Sequence, residues 1–408
     1  MNILINCILS LVLHVSAGES ISAALDSARA VYEATGEHTT VYIDPGTYQE
    51  ELTIDVPGLR LVNAARRPSI ALTDHGVDAD PNAVRITWYY GHGYQYRSMG
   101  ARINYGGRRE RRWNASVLVT APDFYAENII FENSFNLYVS EREAADSLVD
   151  ISQSDMPWTE KERPKKVMPA RPKTVGSTEV QQRRYGERAA AISFTETATN
   201  AHLKNCRAVG RQDVLYGDQG ASIYWQGGVL QGGVDFIFGA MTLCVDRATI
   251  VANLSGEKND KCYISAGRSG SDANGNQMEN GKWKMENCRG LLFYKCHIRL
   301  ATDDEFQISN DQRQTTNDQH VWLARPWRWW GETVWAYTTW DEGILHPEGW
   351  NTGLVRKREG FNPDNACPYS YEYKSQDRSV GRPQWVSVLR KPILPDGTKL
   401  KPKNWLKK

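Results

Sequence analysis

The sequence predicts an all-β solenoid of stacked parallel coils, with one short N-terminal helix and long loop insertions. Three observations lead there. Short β-prone runs bounded by turn residues follow one another through most of the 408 residues. Similar hexapeptides recur at 204–209 (Lys-Asn-Cys-Arg-Ala-Val), 225–230 and 245–250, in steps of 21 and 20 residues, and again at 294–299. A period of about 20 residues suits a solenoid in which each coil adds one strand to each sheet. A β-propeller is the alternative, but its blades need longer repeats and antiparallel meanders.

The elements follow in chain order. Residues 3–15 are an apolar run, and two readings of residues 1–17 stay open. Val15-Ser16-Ala17 suits signal-peptide cleavage after Ala17, yet no Lys or Arg precedes the run. The same stretch also reads as a first strand leading into a helix. In residues 20–32, Ile21, Ala24, Leu25, Ala28 and Val31 share one helical face. β runs follow at 40–43, 59–62, 116–119, 128–131 and 189–192. Two stretches interrupt the coils: 75–115, rich in Tyr, Gly and Arg, and 141–185, polar and carrying Pro157, Pro164, Pro169 and Pro172. The catalytic body is expected over 18–375. Residues 376–408 form a tail that packs on the coil or extends from it.

Composition narrows the function classes. A net charge of +1 gives no global pull toward nucleic acid or membrane. The apolar run at 3–15 is too short to span a bilayer. The seven Cys form no CxxC pair and no zinc-spaced cluster, so buried reduced thiols are expected, without excluding a disulfide or two. Fourteen Trp and 19 Tyr outnumber nine Phe, a bias that suits sugar stacking as well as core filling. The sequons at Asn114 and Asn253 are short patterns that arise by chance. No Gly-x-Ser-x-Gly elbow occurs, which disfavours a serine esterase.

The chemistry concentrates in two stretches, Gly210-Arg211-Gln212-Asp213-Val214-Leu215-Tyr216 and Gly233-Val234-Asp235-Phe236-Ile237-Phe238-Gly239. The aspartates are 22 residues apart, close to one coil. Neighbouring parallel strands lie about 4.8 Å apart. Like charges that close split their ionisation, leaving one carboxylate charged and the other protonated. That provides a nucleophile or base beside a general acid. The same spacing also fits a stacked Asp ladder without chemistry. Asp235 lies in an apolar run where an idle charge is costly, and Gln212 offers a donor to a developing oxyanion. In Leu323-Ala324-Arg325-Pro326-Trp327, Arg325 offers a two-point fork for a carboxylate and Trp327 a flat face.

These motifs resemble the pectin methylesterase (pectinesterase) family. Pro45-Gly46-Thr47-Tyr48-Gln49-Glu50, residues 128–134, 210–216, 233–239, 323–327 and Glu348-Gly349-Trp350 run in the family's order over about residues 17–375. The Tyr/Gly-rich insertion resembles a bacterial branch. The resemblance implies a single-stranded right-handed parallel β-helix that hydrolyses galacturonate methyl esters in pectin without metal or organic cofactor. It implies Asp235 as nucleophile, Asp213 as acid/base, Gln212 at the oxyanion and Arg325 holding Asp235. Trp327, Tyr216 and Phe238 would line the sugar groove. Arg188 stands where many members carry a Gln of the oxyanion site, and its charge would bear on the acid Asp. We expect a secreted or periplasmic monomer whose partner is pectin. The alternatives are another β-helix lyase or glycosidase, or a non-catalytic pectin-binding module.

Overall fold

Parallel pairing between coils governs this chain. The computed structural model describes residues 11–100, 114–149, 169–186, 188–254, 260–269, 289–307, 320–356, 362, 366–376 and 381–407. Among them, three parallel sheets of 11, 8 and 7 strands run along the molecule, each strand hydrogen-bonded to its counterpart in the next coil, with one small antiparallel pair beside them. This is a parallel β-helix. Leu11–Val15 pairs in parallel with Thr39–Ile43 at one end of the 11-stranded sheet.

The recurring hexapeptides that set the period are corners between sheets. Residues 204–209 join the end of Ala201–Lys204 in the 11-stranded sheet to Arg207–Val209 in the 8-stranded sheet. The corner needs a left-handed residue, which Asn and Gly adopt most readily. Asn128, Asn205, Arg247 and Lys295 hold it with φ of 58°, 48°, 54° and 56°. In the coil between Asn205 and Arg247, Gly228 has φ 69°, and a Cβ there would fall 2.1 Å from the Cys206 carbonyl oxygen.

The core fills because one side chain per coil stacks on its neighbour. Leu61, Ala126, Leu203, Trp225, Val245, Phe293 and Trp335 occupy one register column of the 11-stranded sheet, all fully buried. The Phe293 and Trp335 rings stack at 3.8 Å. Burying each such large side chain contributes about 1.5–3 kcal/mol.

The helix Ile21–Thr35 buries Ile21, Leu25 and Ala28, the face the spacing predicted. Ser20 caps its start and Gly36, left-handed, ends it. Glu50 accepts hydrogen bonds from the Ile21 and Ser22 amides, closing the N-terminus. At the other end of the chain, Leu394, Leu400 and Trp405 pack on Cys244, Leu292 and Val334, and Trp405 Nε1 donates to the Gly290 carbonyl at 3.1 Å.

Several expectations shift. The 75–115 stretch contains Val84–Trp88, a strand of the 8-stranded sheet, before its aromatic cluster begins. Residues 101–113 and 150–168 of the two predicted insertions lie outside the described residues. The strand placed at 189–192 runs instead over Ile192–Phe194. Cys206, Cys244, Cys262, Cys296 and Cys367 are buried free thiols, while Cys7 and Cys288 lie outside the described residues. Asn253, 3% exposed, accepts from Gln231 and donates to the Gly210 carbonyl. Its amide ties two coils together and does not reach solvent as a glycan acceptor must.

Candidate active site

The seven-stranded sheet builds the site because its side chains alternate. Ile192, Leu215 and Ile237 point into the core, and the next residue of each strand, Ser193, Tyr216 and Phe238, points outward. Asp213 and Asp235 precede Leu215 and Ile237 by two residues each. A bridge between Gln212 and Val234 keeps the two segments in step, and the Asp213 amide donates to the Val234 carbonyl at 3.1 Å. Both aspartates are left-handed, with φ of 60° and 48°. At Asp235 the pairing with the next strand slips register between Val234 and Ile237. Holding a non-glycine residue there costs roughly 1 kcal/mol, and such strain gathers where a side chain must be aimed.

Each carboxylate has its own arginine. Arg325 grips Asp235 through a fork, Nε to Oδ1 at 2.9 Å and Nη2 to Oδ2 at 2.6 Å. Its backbone is set by the bond from its amide to the Ser265 carbonyl. Arg188 sits one coil before Gln212 and brings Nε to 3.6 Å from Asp213 Oδ2, with its side chain 40% exposed.

The pair is electrostatically unequal. Burial pushes the Asp213 carboxyl well above the usual carboxylate range, and the neighbouring Asp235 charge pushes it the same way. Arg188, Arg325 and Gln212 pull back only in part. Burial also raises Asp235, but there the Arg325 fork opposes it directly. The arrangement therefore favours the proton on Asp213 and the charge on Asp235.

An aromatic wall adjoins the pair. Tyr216 and Phe238 have ring centroids 4.8 Å apart, and Trp327 lies 6.0 Å from Phe238. All eight residues singled out from sequence thus fall on or beside the outer face of this sheet. Sequence reading missed others. Tyr263 lies under the Arg325 guanidinium at 4.0 Å, backed by Trp322 and then His346. Arg268 and Arg328 stand 5.3 and 5.4 Å from the Trp327 ring. The only sequence signal for Tyr263 was its place in a β run, because the coil between Asp235 and Tyr263 departs from the 22-residue step.

Comparison with known proteins shows what the chain is similar to. The family model described as Pectinesterase matches residues 180–362. Over this segment the chain is similar to the pectinesterase family. The matched segment contains all eight candidate site residues. Among curated relatives, a probable pectinesterase A of Aspergillus niger is 25% identical over 191 residues, 47% of this chain and 46% of that protein. A probable pectinesterase 8 of Arabidopsis thaliana is 29% identical over 165 residues, 40% of this chain and 34% of that protein. The chain thus spans less than half the length of these relatives. Among solved structures, pectin methylesterases of Aspergillus niger and Erwinia chrysanthemi match with TM-scores of 0.57 and 0.55 at 19% and 18% identity. They cover 96% and 92% of this chain, and the match covers 93% and 92% of theirs. At that identity the likeness establishes the β-helix fold.

Proposed function

We propose that this protein hydrolyses methyl esters of galacturonate units in pectin. The observation that carries this reading is the asymmetric buried pair, with Asp235 forked by Arg325 beside a carboxyl whose burial favours the protonated form. The ionised Asp235 oxygen attacks the ester carbonyl carbon. Gln212 and Arg188 offer donors to the oxyanion that forms. The tetrahedral species collapses, the bond to the methoxyl oxygen breaks, and Asp213 supplies the proton that leaves with methanol. What remains is an anhydride between Asp235 and the galacturonyl group. Asp213, now a carboxylate, takes a proton from water. The hydroxide attacks the galacturonyl carbon, Asp235 leaves as carboxylate, and the free acid dissociates. Trp327, Phe238 and Tyr216 supply the wall on which sugar rings stack.

The same reading makes pectin the partner of a secreted or periplasmic monomer. No helix among the described residues is long and apolar enough to cross a membrane.

The test is methanol release from highly methylated pectin. Asp235→Ala and Asp235→Asn should both fall to background, the Asn variant keeping a residue that tolerates the left-handed backbone. Turnover by either variant at parental rate sinks the mechanism. Reducing ends appearing without methanol would assign a glycosidase instead.

A further inference from the structure

Cations elsewhere in this protein are commonly matched. Arg29, Arg85, Arg171, Arg207, Arg289, Arg299, Arg325 and Arg382 each face a carboxylate. The C-terminal clasp differs. Between residues 390 and 407 stand Arg390, Lys391, Lys399, Lys401, Lys403 and Lys407, all exposed. The single acid there, Asp396, is already engaged by Arg289. Six cations less one carboxylate leave a net charge of +5 in a chain whose total is +1.

The clasp presents these charges on a fixed backbone. Leu394, Leu400 and Trp405 are buried against the 11-stranded sheet. Ile393 and Lys399 pair across a tight turn, and the Leu400 amide donates to the Pro392 carbonyl at 2.9 Å. With Leu400 pointing inward, Lys399 and Lys401 on either side project outward. The clasp packs on a different sheet from the one carrying Asp213 and Asp235. It also lies beyond the segment matched by the family model.

We propose that the clasp 390–407 is a second binding surface, separate from the catalytic groove, for the de-esterified acidic polysaccharide that the enzyme produces. The choice of partner rests on the pectinesterase reading. Each ester cleaved leaves one more carboxylate on the same polymer, so the product gains the charge that complements this surface. Like charges with no carboxylate partner among the described residues repel one another, and a flexible polyanion relieves that repulsion without needing a shaped pocket. Such contacts are individually weak and screened by salt, so affinity comes from several acting together. An enzyme held this way stays near the remaining esters of the chain it is modifying.

The experiment compares the full-length parent with the fourfold variant Lys391→Gln, Lys399→Gln, Lys401→Gln and Lys403→Gln. Binding to fully de-esterified polygalacturonate is measured at several salt concentrations, and methanol release is measured on a short methylated oligogalacturonide. The proposal expects binding to weaken by about tenfold at low salt, with a shallower salt dependence. Turnover of the short oligomer should be unchanged, because these side chains lie away from the groove. Unaltered binding to polygalacturonate overturns the proposal. So does tighter binding of the parent to duplex DNA or to phosphatidylserine vesicles than to polygalacturonate at equal ionic strength. Should methanol release be absent while clasp-dependent binding to polygalacturonate persists, the esterase reading falls and the surface stands.

Discussion

Replacing Arg325 with Ala should convert the proposed nucleophile, Asp235, into a protonated, inactive carboxyl at low and neutral pH. Asp235 is 8% exposed, and its two oxygens are held by the Arg325 fork at 2.9 and 2.6 Å. The Asp235 and Arg325 side chains are 11% and 19% exposed, so solvent screens the pair little. Removing one partner of a buried pair costs about 3–5 kcal/mol, because a charge is left without compensation. The protein escapes that cost by protonating Asp235, which burial already favours. Taking the lower figure, about 3 kcal/mol at 1.36 kcal/mol per tenfold corresponds to roughly 100-fold in the ionised fraction. The proposed mechanism needs Asp235 ionised, so activity should rise as pH climbs through its ionisation. Arg325→Ala must therefore move this acid limb to higher pH. Arg325→Lys keeps the charge but not the planar fork, and should fall between. The assay is initial-rate methanol release across pH on a neutral, highly methylated oligomer. An Arg325→Ala enzyme within about threefold of the parent below the limb, with the limb unmoved, would refute the assignment, since the predicted loss is roughly 100-fold.

The remaining predictions concern Asp213. In the proposed mechanism its proton leaves with methanol, so activity should fall as pH rises through its ionisation. Arg188, whose Nε is 3.6 Å away, favours the charged form. Arg188→Gln should thus shift the high-pH limb upward while lowering kcat through the weaker oxyanion donor, and a limb that stays put or moves down contradicts the role given to Arg188. Asp213 also bears on stability. Its folded-state carboxyl titrates well above the unfolded one, so it supports the fold fully below the unfolded range and loses that support as pH rises through the folded value. Asp213→Asn removes this loss and keeps a residue suited to φ 60°. Thermal melts should show the variant more resistant than the parent near neutral pH, with the advantage shrinking toward acid, whereas equal melting at both ends denies the buried, strained carboxyl its cost.

Much of the fold was legible because solenoid order is written locally. The steps of 21 and 20 residues between hexapeptides reflect a corner that must recur once per coil. Ser20 and Gly36 bracket a helix whose apolar face can be counted directly. The hexapeptides themselves span corners, since Asn205 and Arg247 sit where the chain turns between sheets. β propensity around a left-handed corner does not differ from that of one continuous strand.

The sequence by itself determined which residue types face one another in adjacent coils where the period stays regular. Asp213 and Asp235 are the clearest case: both lie two residues before paired core positions, Leu215 and Ile237. Tertiary structure alone decided what surrounds them. Arg325 reaches Asp235 from a coil 90 residues on, and Tyr263 supports it from the strand between. The pairing of Ser265 with Ala324 crosses 59 residues where regular coils cross 20 to 22. An inserted loop lengthens the chain without altering the hydrogen-bonded distance between strands. Separation along such a sequence therefore carries no measure of proximity, and the ladder that closes each coil on the next sets which cation meets which carboxylate.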